Sequence, residues 1–561
     1  MNSPFSFRPA LLDSLKNYSV QNFYSDLPAG LTVGIVALPL SMALAIASGL
    51  PPQIGLFTAV IAGLCISAFG GSRVQIGGPA GAFVPLLAPI VMKHGPEALV
   101  VCALMAGLIQ LALGACKLGS LIKYIPFPVV TGFTSGIAII IMSTQIRDFF
   151  GLKEKLPPDF IGKLESLAKN FHPNWPTVLL AVICTLAIWH WPKKLGRRVP
   201  GSIVVVVLAA IASAFFNWPD TFGIQTLGTQ FGEMPRSLPA PHWPALSFDD
   251  WRALVPAAMT VAVLGSIESL LSAVVSDGMI DERHDSNQEL MGQGIANIAM
   301  GIFGGMPATG VIARTATNVR CGGRTPIAGI IHSLTVLVIL IAAAPLAKHI
   351  PLAALSAVLI VVSLRMGEWH RFRRLNHWPK SDVAVFLCAF TLTVCIDLPT
   401  AVGASLILAS ALLVGRLSEL TEIHTDEDAM KTGAKGDAVG EKIPSGVMVF
   451  RIFGAFFFGA ADKLETSLRR AGQLPDVLIL RMRDVLTLDA TGLDALEDLL
   501  EKLRKKKKNL VLCAPRSQPL FALTRAGFID KIGEVNICGD MNASLDRART
   551  ILAAKGRPDK K

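Results

Sequence analysis

Glu268 lies in VLGSIESLLSAVV, a run of thirteen residues whose other members are apolar or small. A carboxylate within such a run is expensive at membrane depth, so function is its default reading. Ser272 follows one helical turn later, on the same face. The pair can coordinate a cation, or Glu268 can carry a proton that accompanies a substrate. Arg314 stands in GGMPATGVIARTA (Gly304–Ala316), just after a glycine-proline break. Its guanidinium keeps its charge and offers two parallel hydrogen bonds to a carboxylate or oxyanion. The sequence leaves open whether Glu268 and Arg314 receive ions or pair with each other. Gln293 and Asn297, four residues apart, read as helix-to-helix hydrogen bonding, and His332 in PIAGIIHSL as a packing histidine.

The break before Arg314 has a counterpart in the first half of the chain, GGPAGAF (Gly77–Phe83). Both lie between apolar stretches. In lipid an unwound segment survives only where protein or a wet cavity satisfies its backbone. Paired interruptions in two halves point to a carrier built from inverted repeats, with its site where the broken helices meet. The expectation is that Val74–Ile76 and Gly310–Ile312 run extended and pair, and that helices begin near Pro79 and Ala313. Each helix start presents unbonded N–H groups and the positive end of a helix dipole, so two of them facing one cavity make an anion site.

The surrounding elements are those of a membrane protein. The chain is 52% apolar and 17% charged, with a mean hydropathy of +0.52. About fourteen apolar segments can be counted against a membrane-crossing length of about 20 residues. They include Leu31–Leu50, Leu99–Cys116, Ile125–Ile146, Val199–Asn217, Pro326–Ala347 and Leu398–Gly415; Pro79–Met92, Leu352–Leu364 and Val383–Ile396 are too short for a full span. Leu31–Leu50 is too long for a cleavable signal. Arg73, Lys117, Lys123, Lys193, Lys194, Arg197, Arg198, Arg320, Arg324 and Arg365–Lys380 fall on one side of the alternation. That side is cytoplasmic, together with the N-terminus and the tail. The formal charge of +11 is accounted for by these loops without nucleic acid. Nine scattered cysteines show neither a disulfide framework nor metal spacing.

After a polar stretch at Thr421–Ser445 the pattern alternates between strand and helix. GVMVFRIFGAFFF reads as two strands, Asp462–Ala471 as a helix, DVLILRM as a strand, Leu493–Lys505 as a helix, NLVLC as a strand and Pro519–Ala526 as a helix. This is a small α/β domain. Asp489-Ala490-Thr491-Gly492 precedes one helix and offers Thr491 as a possible regulatory hydroxyl beside a capping role. Lys505–Lys508 reads as a solvated face. No phosphate loop, nucleophile elbow or metal cluster appears in the sequence, which argues against an enzyme and requires no cofactor.

GLTVGIVALPLSMALAIASGLPPQIGLFTA, SRVQIGGPAGAF, AVLGSIESLLSAVVSDGM and ATGVIARTATNVR resemble four spans of the sulfate permease (SulP) family of anion transporters. The tail resembles the STAS domain (sulfate transporter and anti-sigma factor antagonist). The resemblance implies an α-helical polytopic membrane protein of fourteen segments in 7+7 inverted repeats. A core domain moves like an elevator against a gate domain, and the protein is a homodimer. It implies a transmembrane domain over 1–420, a linker over 421–445, a STAS domain over 446–554 and a basic tail over 555–561. By position, the substrate would lie among Leu40, Leu44, Pro79, Ala80, Gly81, Ile312, Ala313 and Arg314, with Glu268 and Ser272 tied to coupling. Leu40 and Ala313 stand where many relatives carry Gln and Ser. These departures look most like the bacterial C4-dicarboxylate (DauA-type) branch. The leading expectation is therefore proton-coupled uptake of succinate, fumarate or aspartate; sodium is the alternative coupling ion. Sulfate or bicarbonate transport is the alternative substrate reading, and an anion sensor with an unknown cytoplasmic STAS partner is a third.

Overall fold

The computed structural model describes residues 7–555 except 121–124, 155, 158, 193–199, 242, 244–247, 420–421, 426–442, 457–462, 464–465 and 467–474. The basic loop at 193–199 and the tail beyond 555 thus lie outside the described residues. Contacts divide the chain into two units at 409/410.

The first unit is helical. In chain order its membrane helices are α1 Val20–Ala47, α2 Pro52–Phe69, α3 Val84–His94, α4 Glu97–Ala115, α5 Phe127–Thr144, α6 Trp175–Trp189, α7 Gly201–Phe216, α8 Phe248–Ile280, α9 Ser286–Ile302, α10 Ile312–Arg320, α11 Pro326–Ala347, α12 Leu352–Met366, α13 Lys380–Cys395 and α14 Leu398–Glu419. The apolar segments read from the sequence all appear, α1 beginning earlier than expected because Ser19 caps it by accepting from the Asn22 amide at 3.2 Å. α1 packs on α2 and α11, α9 on α2 and α4, and α8 on α4 and α10; α5 packs on α12 and α13, and α6 on α12. Two bundles result, one from the first four helices of each half and one from α5, α6, α7, α12 and α13.

Small residues let backbones touch where a helix must be held rigidly. α4 and α9 cross at Gly107 and Gly294, where a Cβ on either would lie 2.6 Å from the other's carbonyl oxygen. α9 is thereby clamped against α4.

The second unit holds a five-stranded sheet in the order β3 Glu422–Thr425, β4 Val447–Phe456, β5 Val477–Leu488, β6 Asn509–Cys513, β7 Ile537–Cys538. Strand alternation sends Leu478 and Leu480 to one core with Leu496 and Leu500 of α15 (Ala490–Lys505). Val477 and Ile479 go to the other core, with Leu545 and Leu552 of α17 (Met541–Ala554). Pro519 opens the buried side of the intervening helix α16 (Ser517–Arg525).

Two readings of this unit change, and a third falls largely outside the described residues. The two strands expected in GVMVFRIFGAFFF are, over the described Val447–Phe456, a single strand, because the break at Gly454 is absorbed by register shifts along a continuous parallel pairing with β5. The stretch expected to be linker contributes β3, an antiparallel edge strand on β4. The helix expected at Asp462–Ala471 lies outside the described residues apart from Lys463 and Thr466. At the start of α15 the cap is Asp489, which accepts from the Gly492 amide at 2.8 Å, and Thr491 is exposed. Lys505–Lys507 are exposed and Lys508 pairs with Asp476 at 2.7 Å, as a solvated face requires.

Candidate anion site

The two breaks meet. β1 (Gly77–Gly78) pairs antiparallel with β2 (Thr309–Gly310), Gly77 opposite Gly310 and Gly78 opposite Thr309. The amide of Val311 continues the ladder onto the Ile76 carbonyl at 2.9 Å. The pairing expected of Val74–Ile76 is therefore displaced toward the glycines, because the residues before them are engaged by side chains. Gln75 donates to the Ser269 carbonyl and hydroxyl, both at 2.9 Å, and to Glu289 at 3.1 Å. The Ile76 amide donates to Thr315 Oγ1 at 3.1 Å, and the Val74 carbonyl accepts from Asn318 at 2.9 Å.

Unwound backbone at membrane depth must find partners for its amides and carbonyls, and here they can be traced one by one. Before β2, the Ala308 carbonyl accepts from Gln293 at 2.5 Å and Asn297 at 3.1 Å, and its amide donates to Asn297 at 2.8 Å. Asn297 also donates to Gln110 of α4 at 2.8 Å. The Met306 amide donates to Thr58 of α2 at 3.1 Å, and Thr309 donates to the Gly265 carbonyl of α8 at 2.8 Å. Gln293 and Asn297 thus hold the broken segment itself as well as joining helices.

Both helix starts differ in detail from expectation. The first begins as a 3-10 turn over Gly81–Phe83, with α3 following from Val84. Its early proline is Pro85 and not Pro79, because Pro79 and Ala80 are still leaving the ladder in extended form. The first turn closes with the Phe83 amide on the Ala80 carbonyl at 3.2 Å, so the amides of Gly81 and Ala82 precede any helical bond. The second start, α10, has Val311 as its N-cap and closes with the Thr315 amide on the Val311 carbonyl at 2.9 Å. The amides of Ile312, Ala313 and Arg314 precede that bond.

Of the residues expected around a ligand, Ile312 and Ala313 are exposed, and Leu40 and Gly81 are half-buried. Leu44, Pro79 and Ala80 are buried and form wall. A Cβ on Gly81 would lie 3.8 Å from Leu44, 2.9 Å from Ile141 of α5 and 3.9 Å from Met366 of α12, so this helix start abuts the second bundle.

Arg314 lies behind the two starts. It is 2% exposed and donates from Nη2 to Ser41 of α1 at 3.0 Å, while Nε and Nη1 have no partner among the described residues. Gly78, at φ +152°, makes the room: a Cβ there would stand 2.3 Å from Nη1. No ion pair joins Arg314 to Glu268 among the described residues. Glu268 is half-buried, and Ser272, instead of facing a cation with it, donates to Thr315 Oγ1 at 3.2 Å.

Sequence reasoning missed Glu289, a carboxylate that accepts four hydrogen bonds. It is fully buried and accepts from the amides of Gly71 at 2.9 Å and Ser72 at 3.0 Å, and from Ser269 and Gln75, both at 3.1 Å. The signal was present, because Glu289, Gln293 and Asn297 repeat every four residues on one face of α9. Asp26 was missed too. It accepts from the Arg324 amide at 2.8 Å and from Thr325, fixing the start of α11.

Two bundles with repeated broken helices, facing helix starts and a buried cation behind them define a membrane carrier for anions, here followed by an α/β tail. The sulfate permease family model matches residues 23–389 and the STAS domain model residues 441–548. The chain belongs to the sulfate permease family and is an anion transporter, not an enzyme. It is 40% identical to a putative sulfate transporter of Bacillus subtilis, YvdB, over 92% of this chain and 96% of that one. It is 30% identical to the bicarbonate transporter BicA of Synechocystis over 95% of each. The murine Slc26a9 anion transporter in its inward-facing state matches with a TM-score of 0.85 at 19% identity, over 97% of this chain and 94% of that one; at that identity the likeness is one of fold. The transporter crosses the membrane many times, with its STAS domain cytoplasmic.

Proposed function

We propose that this chain carries a small inorganic oxyanion, sulfate or bicarbonate, across the membrane. The observation carrying the reading is the pair of helix starts joined by the glycine ladder, with amides on both that precede the first helical bond and find no acceptor among the described residues, and Arg314 behind them. Each start contributes about half a positive charge, and with the guanidinium the site suits an oxyanion better than any neutral solute. The names of the relatives, sulfate and bicarbonate transporters, support the same class. The anion would rest among Leu40, Leu44, Pro79, Ala80, Gly81, Ile312, Ala313 and Arg314. The bundle of α1–α4 and α8–α11 would carry it past α5–α7 and α12–α14.

A second reading, a C4-dicarboxylate such as succinate, is favoured by one observation. Half-buried Leu40 and exposed Ile312 and Ala313 offer a hydrocarbon middle an apolar bed where an inorganic anion finds no hydroxyl. Glu268 is the proposed coupling group and carries a proton, with Ser272 holding α10 beside it. Assembly as a homodimer, a regulatory role for Thr491 and an unknown cytoplasmic partner of the STAS domain complete the proposal.

Uptake of labelled sulfate, bicarbonate and succinate into proteoliposomes, with and without a proton or sodium gradient, tests it. Accumulation of sulfate or bicarbonate is expected; accumulation of succinate alone transfers the reading to dicarboxylates, and accumulation of none ends it. Glu268→Gln should lose gradient-driven uptake and keep anion exchange. Normal driven uptake in that variant would remove Glu268 from coupling.

A further inference from the structure

Cys513 and Cys538 stand 25 residues apart in the sequence, and the sheet of the second unit makes them neighbours. Each is the last residue of its strand, β6 and β7, and the two are register partners in the parallel pairing, one step after Leu512 opposite Ile537. Adjacent strands run about 4.8 Å apart, which puts the two Cα atoms inside the roughly 4.4–6.8 Å that a disulfide spans. Both side chains leave the same face of the sheet, because both belong to the core of Val477, Ile479 and Leu545. Just past the pair, the Ala514 amide donates to the Cys538 carbonyl at 2.8 Å, with Ala514 at φ +50°, a left-handed conformation uncommon outside glycine. The two backbones are thus tied together at the cysteines.

The row continues on both sides. Arg481 of β5 is the register partner of Cys513 and is buried with it. Met541, the first residue of α17, accepts from the Cys513 thiol at 3.9 Å, and Ser544, fully buried one turn on, donates to the Asp540 carbonyl at 2.7 Å. The thiols therefore lie under the N-terminal turn of a 14-residue helix, whose dipole favours a thiolate. Burial acts the other way and pushes both thiols up, as does the charge of Asp540, while Ser544, Arg481 at Cys513 and Arg547 at Cys538 pull them down. The pair is accordingly a reduced dithiol at rest. Cys513 is 1% exposed and Cys538 9%, and a Cβ on the adjoining Gly539 would meet nothing within 4 Å, so Cys538 is the thiol that solvent reaches. It is also the easier one to uncover, since β7 has two residues and stands at the end of the sheet order.

We infer that Cys513 and Cys538 form an oxidation site in the STAS domain, a dithiol that a small peroxide closes into a disulfide and a low-molecular-weight thiol reopens. The Cys538 sulfur attacks one oxygen of hydrogen peroxide, the O–O bond breaks, and water leaves a sulfenic acid on Cys538. The Cys513 sulfur then attacks the Cys538 sulfur, the S–O bond breaks, and the hydroxyl departs as a second water with the proton of Cys513. Two thiols are oxidised by two electrons and one peroxide is reduced to two waters. In a cytoplasmic domain such a bond is transient and responds to redox state, in contrast to the permanent disulfides of secreted proteins. Closed, it fixes β7 and the start of α17 to the middle of the sheet. The chemistry is independent of which anion the membrane unit carries.

The test is made on the purified full chain, treated with hydrogen peroxide, unfolded in iodoacetamide to block the remaining thiols, digested with trypsin and read by mass spectrometry before and after reduction with dithiothreitol. The peptides Asn509–Arg516 and Ile532–Arg547 should appear joined, two hydrogens lighter than the sum of their free-thiol forms, and should separate on reduction. Cys513→Ser should halt the reaction midway and leave a Cys538 sulfenic acid that dimedone labels, whereas Cys538→Ser should leave Cys513 unlinked. Recovery of both cysteines as alkylated thiols from wild-type protein, at a peroxide concentration that oxidises the exposed Cys116, overturns the inference without any variant. A product in which either cysteine is linked chiefly to some other cysteine overturns it as well.

Discussion

Arg314→Ala is expected to weaken anion binding by about 2 kcal/mol, roughly thirty-fold in Kd, with the protein still folded. The guanidinium is nearly inaccessible and spends one bond on Ser41, leaving two donors and a full charge directed at the space behind the helix starts. Arg314→Lys should recover part of the loss, since it restores the charge without the planar fork. Binding of labelled sulfate or succinate to purified protein with an unchanged gel-filtration profile measures both. Wild-type affinity in the alanine variant would remove Arg314 from the site. The ladder accounts for why the charge sits there: Gly78 has no side chain, and the backbone passes against Nη1.

Glu289→Ala should be the most destabilising single change in the transmembrane unit, costing about 3–5 kcal/mol. Its carboxylate satisfies two loop amides, one side-chain amide and one hydroxyl, all from residues that lead into β1 or face it. Removing it leaves those donors buried without an acceptor, each at a cost of about 1–3 kcal/mol. A large fall in Tm by thermal unfolding in detergent is expected, with a smaller fall for Glu289→Gln. An unchanged Tm would show that the Gly71–Gln75 loop is held by something else.

These two residues mark how far the sequence can be read. Arg314 was legible because it follows a glycine-proline break in an apolar setting, and the paired breaks gave the two-halves architecture. Glu289 was not, because it sits in the first helical turn after Asp285, where an acidic residue is an ordinary helix-start feature. Its value comes from a loop more than two hundred residues away, a contact that only the tertiary fold supplies. The displaced register of β1 on β2 has the same origin, since side chains of α10 take the backbone groups of Val74 and Ile76 and α8 and α9 hold the Gln75 side chain. Ser272 shared the expected face with Glu268, but helical periodicity does not say which helix lies opposite, and α10 took its hydroxyl. In the tail, β3 was hidden because an edge strand gains its order from pairing with β4 and not from its own hydrophobic pattern.

The central claim is that the anion rests at the two facing helix starts, and cysteine protection addresses it directly. With exposed Cys116 and Cys395 replaced by serine, Ala313→Cys places one thiol at the exposed start of α10. A saturating concentration of the transported anion should slow maleimide labelling of that thiol several-fold, while leaving a thiol at Gly278, which has open space around it, unaffected. Equal labelling rates at position 313 with and without an anion that the same preparation transports would contradict the account.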